Sequence, residues 1–318
     1  MKKISFLFTL LILCLLPGLI FNACKSNAAF DPDRKRVIFI SPQKDLPVWK
    51  QAENGFLQAA EKYGFYAEWQ GSDDCDLEEM TRQISIATAE AVDAIIICPL
   101  TPDIFDEALT KAREKEIPVI TVAVDASRPA LRDSFISPDY EKMGKAQAAA
   151  LHEAVGGPMN IGVIMSTYDS QNQIIQVREL ENYIEEREDC HIVATAQDFA
   201  NPVMGMSIFT EMLESHPEIN AVFVTSGDAV SNYGKILKEK DLQDDVILIG
   251  MDAIEANLQA IKEHEIYGVM DQDFYTMGYL SGEYAAKLLD GTSVPSETLY
   301  DSLLVTAENA GQIPSEAP

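Results

Sequence analysis

Seven short Val/Ile-rich runs, separated by amphipathic segments, limit this chain to very few architectures. They lie at 37–40, 94–98, 119–122, 161–165, 221–225, 246–249 and 267–270. Each is nearly continuous rather than alternating, the pattern of a parallel strand buried on both faces. Helical patterns fall between them at 48–63, 78–89, 140–154, 174–186, 203–214, 229–238 and 275–289. A further helix is expected from Asp103, its N-cap, because Phe105, Ala108, Leu109 and Ala112 share one face. Such alternation predicts right-handed βαβ units in an open, doubly wound α/β sheet. In sheets of this kind ligands bind beyond the carboxyl ends of the strands, so function is sought there.

An internal repeat adds a second constraint. Ala91-Val92-Asp93-Ala94-Ile95-Ile96-Ile97 echoes Glu218-Ile219-Asn220-Ala221-Val222-Phe223-Val224, and each is followed by a helix and another apolar run. Without a gap, Asp93 to Asn220 and Asp125 to Asp252 span the same 127 positions. Two lobes of one plan would then each place an Asp beyond a strand end, and facing lobes would bring both carboxylates to one cleft. The 318 residues also exceed what a single core usually carries.

The formal charge of −27 disfavours nucleic acid, whose phosphates are gripped by Lys/Arg clusters, and a polybasic membrane-surface role. The start, Met1-Lys2-Lys3, an apolar stretch to Phe21 broken by Pro17-Gly18, and Asn22-Ala23-Cys24-Lys25 read as an export signal. Cys24 resembles the lipid-modified cysteine of bacterial lipoproteins. The expectation is a signal peptide over 1–23, lipid on Cys24 and a polar tether over 24–36. Cys75, Cys98 and Cys190 then remain, without zinc-ligand spacing, and the four histidines are scattered. No metal and no cofactor is expected.

Paired carboxylates can act as acid and base on a glycosidic bond or accept hydrogen bonds from a polyol. No GxSxG elbow, phosphate-cradling loop or Cys/His pair accompanies them, so binding without catalysis is the expectation. Helix capping is the structural alternative for Asp125 and Asp252.

Several blocks resemble the ribose-binding type of the type 1 periplasmic binding protein family. They are Leu46-Pro47-Val48-Trp49-Lys50-Gln51-Ala52-Glu53-Asn54-Gly55-Phe56, Val92-Asp93-Ala94-Ile95-Ile96-Ile97-Cys98-Pro99, Ile117-Pro118-Val119-Ile120-Thr121, Ile247-Leu248-Ile249-Gly250-Met251-Asp252-Ala253 and Val269-Met270-Asp271-Gln272-Asp273-Phe274-Tyr275. The resemblance implies two Rossmann-like lobes joined by a multi-strand hinge: 37–136 plus 273–298, and 137–272 plus 299–310, with a tail over 311–318. It implies a sugar-stacking role for Trp49, with a core Trp as the alternative. It also implies polyol-binding roles for Asp125, Asp252 and Gln272. Gln171 and Asn172, within Ser170-Gln171-Asn172-Gln173, resemble the polar strip of sugar and autoinducer-2 receptors. The sequence departs from the ribose binders at Cys98, Ala123 and Ser226-Gly227-Asp228. Asp228 is a replacement acceptor or a helix cap. These departures point away from ribose itself and leave a small polar ligand.

The implied function is capture of a monosaccharide or related polyol, by a monomer, for an ABC transporter permease. A sensor subunit for a membrane histidine kinase or chemoreceptor is the alternative, with a carbohydrate-active enzyme third. Stable anchoring needs more than one acyl chain, as such lipoproteins carry. Cys24→Ser is therefore expected to release the protein into the soluble fraction or block processing, read by membrane fractionation and intact mass. Unchanged mass and membrane association would contradict the anchor.

Overall fold

The computed structural model describes residues 34–313. The expected signal peptide, Cys24, most of the tether and residues 314–318 of the tail lie outside them. Among the described residues no helix is long and apolar enough to cross a membrane.

Two six-stranded sheets carry the fold. In the first, β2 (Tyr66–Gly71), β1 (Arg36–Ser41), β3 (Ala94–Ile97), β4 (Val119–Val122), β5 (Ser134–Pro138) and β11 (Glu297–Tyr300) lie side by side, all parallel. The second repeats this order with β7 (Cys190–Gln197), β6 (Met159–Met165), β8 (Ala221–Val224), β9 (Ile247–Met251) and β10 (Gly268–Asp271). It closes with β12 (Leu303–Thr306), antiparallel to β10. Helices cover both faces of each sheet, as a doubly wound α/β fold requires.

All inner strands but β5 are apolar runs read from sequence, and β3, β4 and β8 are buried along their whole length. Strand β5 was missed because Ser134, Ser137 and Pro138 break its apolar pattern. Two other strands missed in sequence are of another kind. Five of the six residues of β2 are only half-buried, and β7 alternates loosely, because both lie at sheet edges where one flank faces water. Asp103 does not cap a helix. It sits inside a 3-10 turn, Pro102–Phe105, and α3 begins at Asp106 (Asp106–Glu114).

The chain crosses between sheets three times: from β5 to α4 (Tyr140–Val155), from β10 to α9 (Phe274–Leu289), and from β11 to β12. Helix α9 thereby returns to the first sheet, where it packs along α1 (Pro47–Tyr63). The approach is close enough that a Cβ on Gly278 would sit 1.9 Å from the carbonyl oxygen of Ala52, and one on Gly55 2.1 Å from that of Tyr275. Both obstructing atoms are backbone, so neither can rotate away.

Gly278→Ala is therefore expected to destabilise by about 1–3 kcal/mol or more through overpacking. Gly157→Ala, where a Cβ meets nothing within 4 Å, should stay within about 0.5 kcal/mol. Denaturant unfolding of both variants checks this, and equal midpoints would contradict the close helix contact.

Candidate functional site

The carboxyl ends of both sheets meet at the three crossovers, and one hydrogen-bonded chain runs through them. The Tyr140 hydroxyl donates to Gln272 Oε1 at 3.0 Å, and Gln272 Nε2 donates to Asp252 Oδ1 at 2.6 Å. Tyr300, at the third crossover, donates its hydroxyl to the carbonyls of Gln272 and Asp273 at 3.0 and 3.2 Å. One residue from each connection thus converges on Gln272. Asp252 has only 7% of its surface exposed, and its Oδ2 receives no hydrogen bond among the described residues.

The loop beyond β8 is built around that carboxylate. A Cβ on Gly227 would lie 2.2 Å from Asp252 Oδ2, so only glycine lets the loop pass so close. Asn257, fully buried on α8 (Glu255–Lys262), donates to the carbonyls of Gly227, Met251 and Asp252 at 3.0–3.1 Å. It also accepts from the backbone N–H of Ser231. On the other side of Gly227, the Ser226 hydroxyl donates to Asp198 Oδ2, which Tyr233 also donates to at 2.9 Å. Asp228 follows directly, with no hydrogen bond or ion pair to its side chain among the described residues.

These carboxyls share a low-dielectric setting. Burial pushes Asp252 up to about 8, with Asp228 and Asp271 adding to the shift and the Gln272 bond opposing it. Burial and then Asp198 push Asp228 up to about 6. Asp198 is raised by burial against the bonds from Tyr233, Ala200 and Ser226. From the first lobe, Cys75 lies near Asp228, and burial with that carboxylate pushes its thiol up to about 11, while Cys98 lies near Tyr140.

Not every residue singled out in sequence joins this group. Asp252, Gln272 and Asp228 do, and Asn172 reaches Tyr140. Gln171 is exposed at the start of α5 (Gln171–Glu185), and its neighbour Gln173 does the bridging, accepting from Ser166 N–H and the Thr225 hydroxyl. Trp49 is 6% exposed and packs edge-on against Phe274 and Phe39, with ring centroids 5.0 and 6.3 Å apart.

The gapless pairing of Asp125 with Asp252 is corrected by the sheet register. Val122 pairs with Ile136 where Met251 pairs with Met270, so Ala123, not Asp125, is the counterpart of Asp252. Ala123 and Asp252 share a left-handed backbone, with φ of 61° and 69°. Asp125 lies two residues farther on, and its carboxylate takes a forked ion pair from Arg132 at 2.9 and 2.6 Å, plus the Thr121 hydroxyl. Helix capping explains none of the three aspartates, since α7 (Val230–Glu239) is preceded by Ala229, α8 by Ile254, and a 3-10 turn follows Asp125.

Tyr140, Asn257, Asp198, Gln147 and Tyr300 escaped the sequence reading. Gln147 ties α4 to the carbonyls of Val224 and Ile249. Each binds atoms remote in sequence, and only Tyr140, directly after the Ser137-Pro138-Asp139 crossover, carried a local signal. Among the described residues no group of His, Cys, Asp and Glu could hold a metal ion.

A family model described as periplasmic binding protein domain matches residues 37–293. A xylitol-binding protein of Mycolicibacterium smegmatis is 22% identical, covering 92% of this chain and 83% of its own length. The ribose import binding protein RbsB of Bacillus subtilis is 21% identical over 69% of this chain and 70% of its own. Among solved structures, GanP, a glucose-galactose binding protein from Geobacillus stearothermophilus, superposes with a TM-score of 0.82. It is 24% identical and covers 87% of this chain and 99% of its own. These relatives are binding proteins rather than enzymes.

The raised Asp252 carboxyl sets a direction for stability. An unfolded Asp titrates near ~4, so between about pH 4 and 8 the folded chain holds more protons than the unfolded one. Its contribution is present below ~4 and lost as pH rises through about 8. The unfolding temperature of the unliganded protein is expected to fall from pH 5 to 8.5, and to fall less in Asp252→Asn. Parallel curves for the two proteins would contradict the assignment.

Proposed function

The chain belongs to the periplasmic binding protein family, whose sugar-binding members serve ABC transporters, and on that premise we propose a receptor for a monosaccharide or related small polyol. In this reading the ligand is captured between the lobes, outside the cytoplasm, and delivered to a membrane permease while lipid on Cys24 tethers the receptor. The observation that carries it is the chain from Tyr140 through Gln272 to Asp252, which stands where the crossovers meet the strand ends.

The chemistry suits a polyol. Among the described residues, one Asp252 carboxyl oxygen and both of Asp228 have no hydrogen-bond partner, so each can accept from ligand hydroxyls. Asn172 adds an amide at the same floor. Trp49, fixed by Phe39 and Phe274, is the proposed apolar wall and Gln171 a proposed rim group. Asp125 is proposed to hold the first lobe's loop through Arg132 rather than to touch ligand. Hinge motion of the two lobes, whose expected boundaries after 136 and 298 shift to take all of β5 and β11 into the first, would exclude water from these bonds. No bond of the ligand is broken.

A thermal-shift screen of pentoses, hexoses, pentitols and inositols is expected to find at least one stabilising ligand, since binding to the native state alone raises apparent stability. Asp252→Ala and Gln272→Ala should each weaken that ligand by about 1.5–3 kcal/mol, about 10- to 150-fold by calorimetry. Full affinity in both variants would contradict the site.

A further inference from the structure

Among the described residues, the strand-end loops of the second lobe carry carboxylates and no cation. Five loops leave the carboxyl ends of β6 to β10: 166–170, 198–201, 225–229, 252–254 and 272–273. They contain Asp169, Asp198, Asp228, Asp252 and Asp273, and not one lysine, arginine or histidine. Asp198, Asp228 and Asp252 gather around the single turn Ser226-Gly227-Asp228: Ser226 bonds the first, and Gly227 lies against the third.

Among the described residues, the cations near the first lobe's strand ends are already paired. Cys75 is that lobe's group near Asp228, and the neighbour of Cys75 on its own side is another acid, Asp74. Lys44 pairs with Asp73, Lys50 with Asp45 and Glu53, Arg128 with Asp106, and Arg132 with Asp125. Asp252 meanwhile is nine-tenths buried, with one oxygen aimed past Gly227 that no donor among the described residues reaches.

A neutral sugar closing over this group would either hold its carboxyl in the protonated form or bury an ion without compensation, a cost to any carboxylate acceptor. A protonated amine would remove that cost and add charge-assisted hydrogen bonds to the same oxygens. We infer that the ligand is a cationic polyol, a sugar or sugar alcohol bearing a primary amine, whose ammonium group sits between Asp228 and Asp252 while its hydroxyls meet Gln272 and Asn172. The raised proton affinity of both carboxyls, caused by burial and then by acidic neighbours, agrees with an uncompensated site. This inference rests on the polyol-receptor reading and specifies the ligand's charge.

The test is calorimetry of the wild-type protein at pH 7 with matched pairs: D-galactosamine against D-galactose, D-glucosamine against D-glucose, and D-glucamine against D-sorbitol. At least one amine should bind tenfold or more tightly than its hydroxyl parent, and the preference should shrink in Asp228→Asn or Asp252→Asn. Parents that bind as well as their amines would overturn the inference and leave the sugar receptor standing. A preference unchanged in both variants would remove these carboxylates from it. No binding by any of the six compounds, together with a thermal-shift panel silent to every sugar, would overturn both readings.

Discussion

The fold is held in register at its working end by one buried amide. Gln272 accepts from Tyr140, donates to Asp252, and offers its carbonyl to Tyr300, so all three inter-sheet connections share a residue. Buried polar groups are costly unless satisfied, and here the satisfaction of one depends on the position of the others. A rotation of one lobe against the other must therefore be felt at Asp252. In the proposed receptor, this couples the hinge to the carboxylate assigned to the ligand.

Around that amide the second lobe does most of the shaping. Asn257 gathers three carbonyls from two loops, and Gly227 lets the backbone press against Asp252. Asp198 is locked by Ser226, Tyr233 and Ala200 N–H, which fixes the turn carrying Asp228. The first lobe contributes differently. Its Asp125 is neutralised by Arg132, and its strand ends offer Cys98 and Ala123 where the second lobe offers Thr225 and Asp252. The cleft is consequently asymmetric in charge although the two sheets share one topology.

Most inner strands were legible because burial on both faces favours unbroken Val/Ile runs, as in Ile95-Ile96-Ile97, while β5 was hidden by its serines and proline. Edge strands such as Tyr66–Gly71 were not, since half of their surface tolerates polar residues. The repeat was legible but its register was not. A slide of two residues keeps every side chain on its own face of a strand, so the apolar pattern cannot separate Asp125 from Ala123 as the partner of Asp252. Asp252, Asp228 and Gln272 could be read because each stands directly beyond a strand or close to its end. Tyr140, Asn257 and Asp198 could not, because their roles exist only through partners 28 to 132 positions away or through carbonyls that carry no sequence mark.

The central claim is that ligand binds where the two lobes face each other and is enclosed by both. Cys75 reports on this directly. It is the half-exposed one of the three cysteines among the described residues, it belongs to the first lobe, and it lies near Asp228 of the second. Its rate of modification by a thiol reagent should be measured with and without the sugar or amine that most raises the unfolding temperature, using Cys75→Ser as the blank. The account predicts a rate at least tenfold slower with ligand bound. A rate that ligand leaves unchanged, in a protein that calorimetry shows to be saturated, would contradict it.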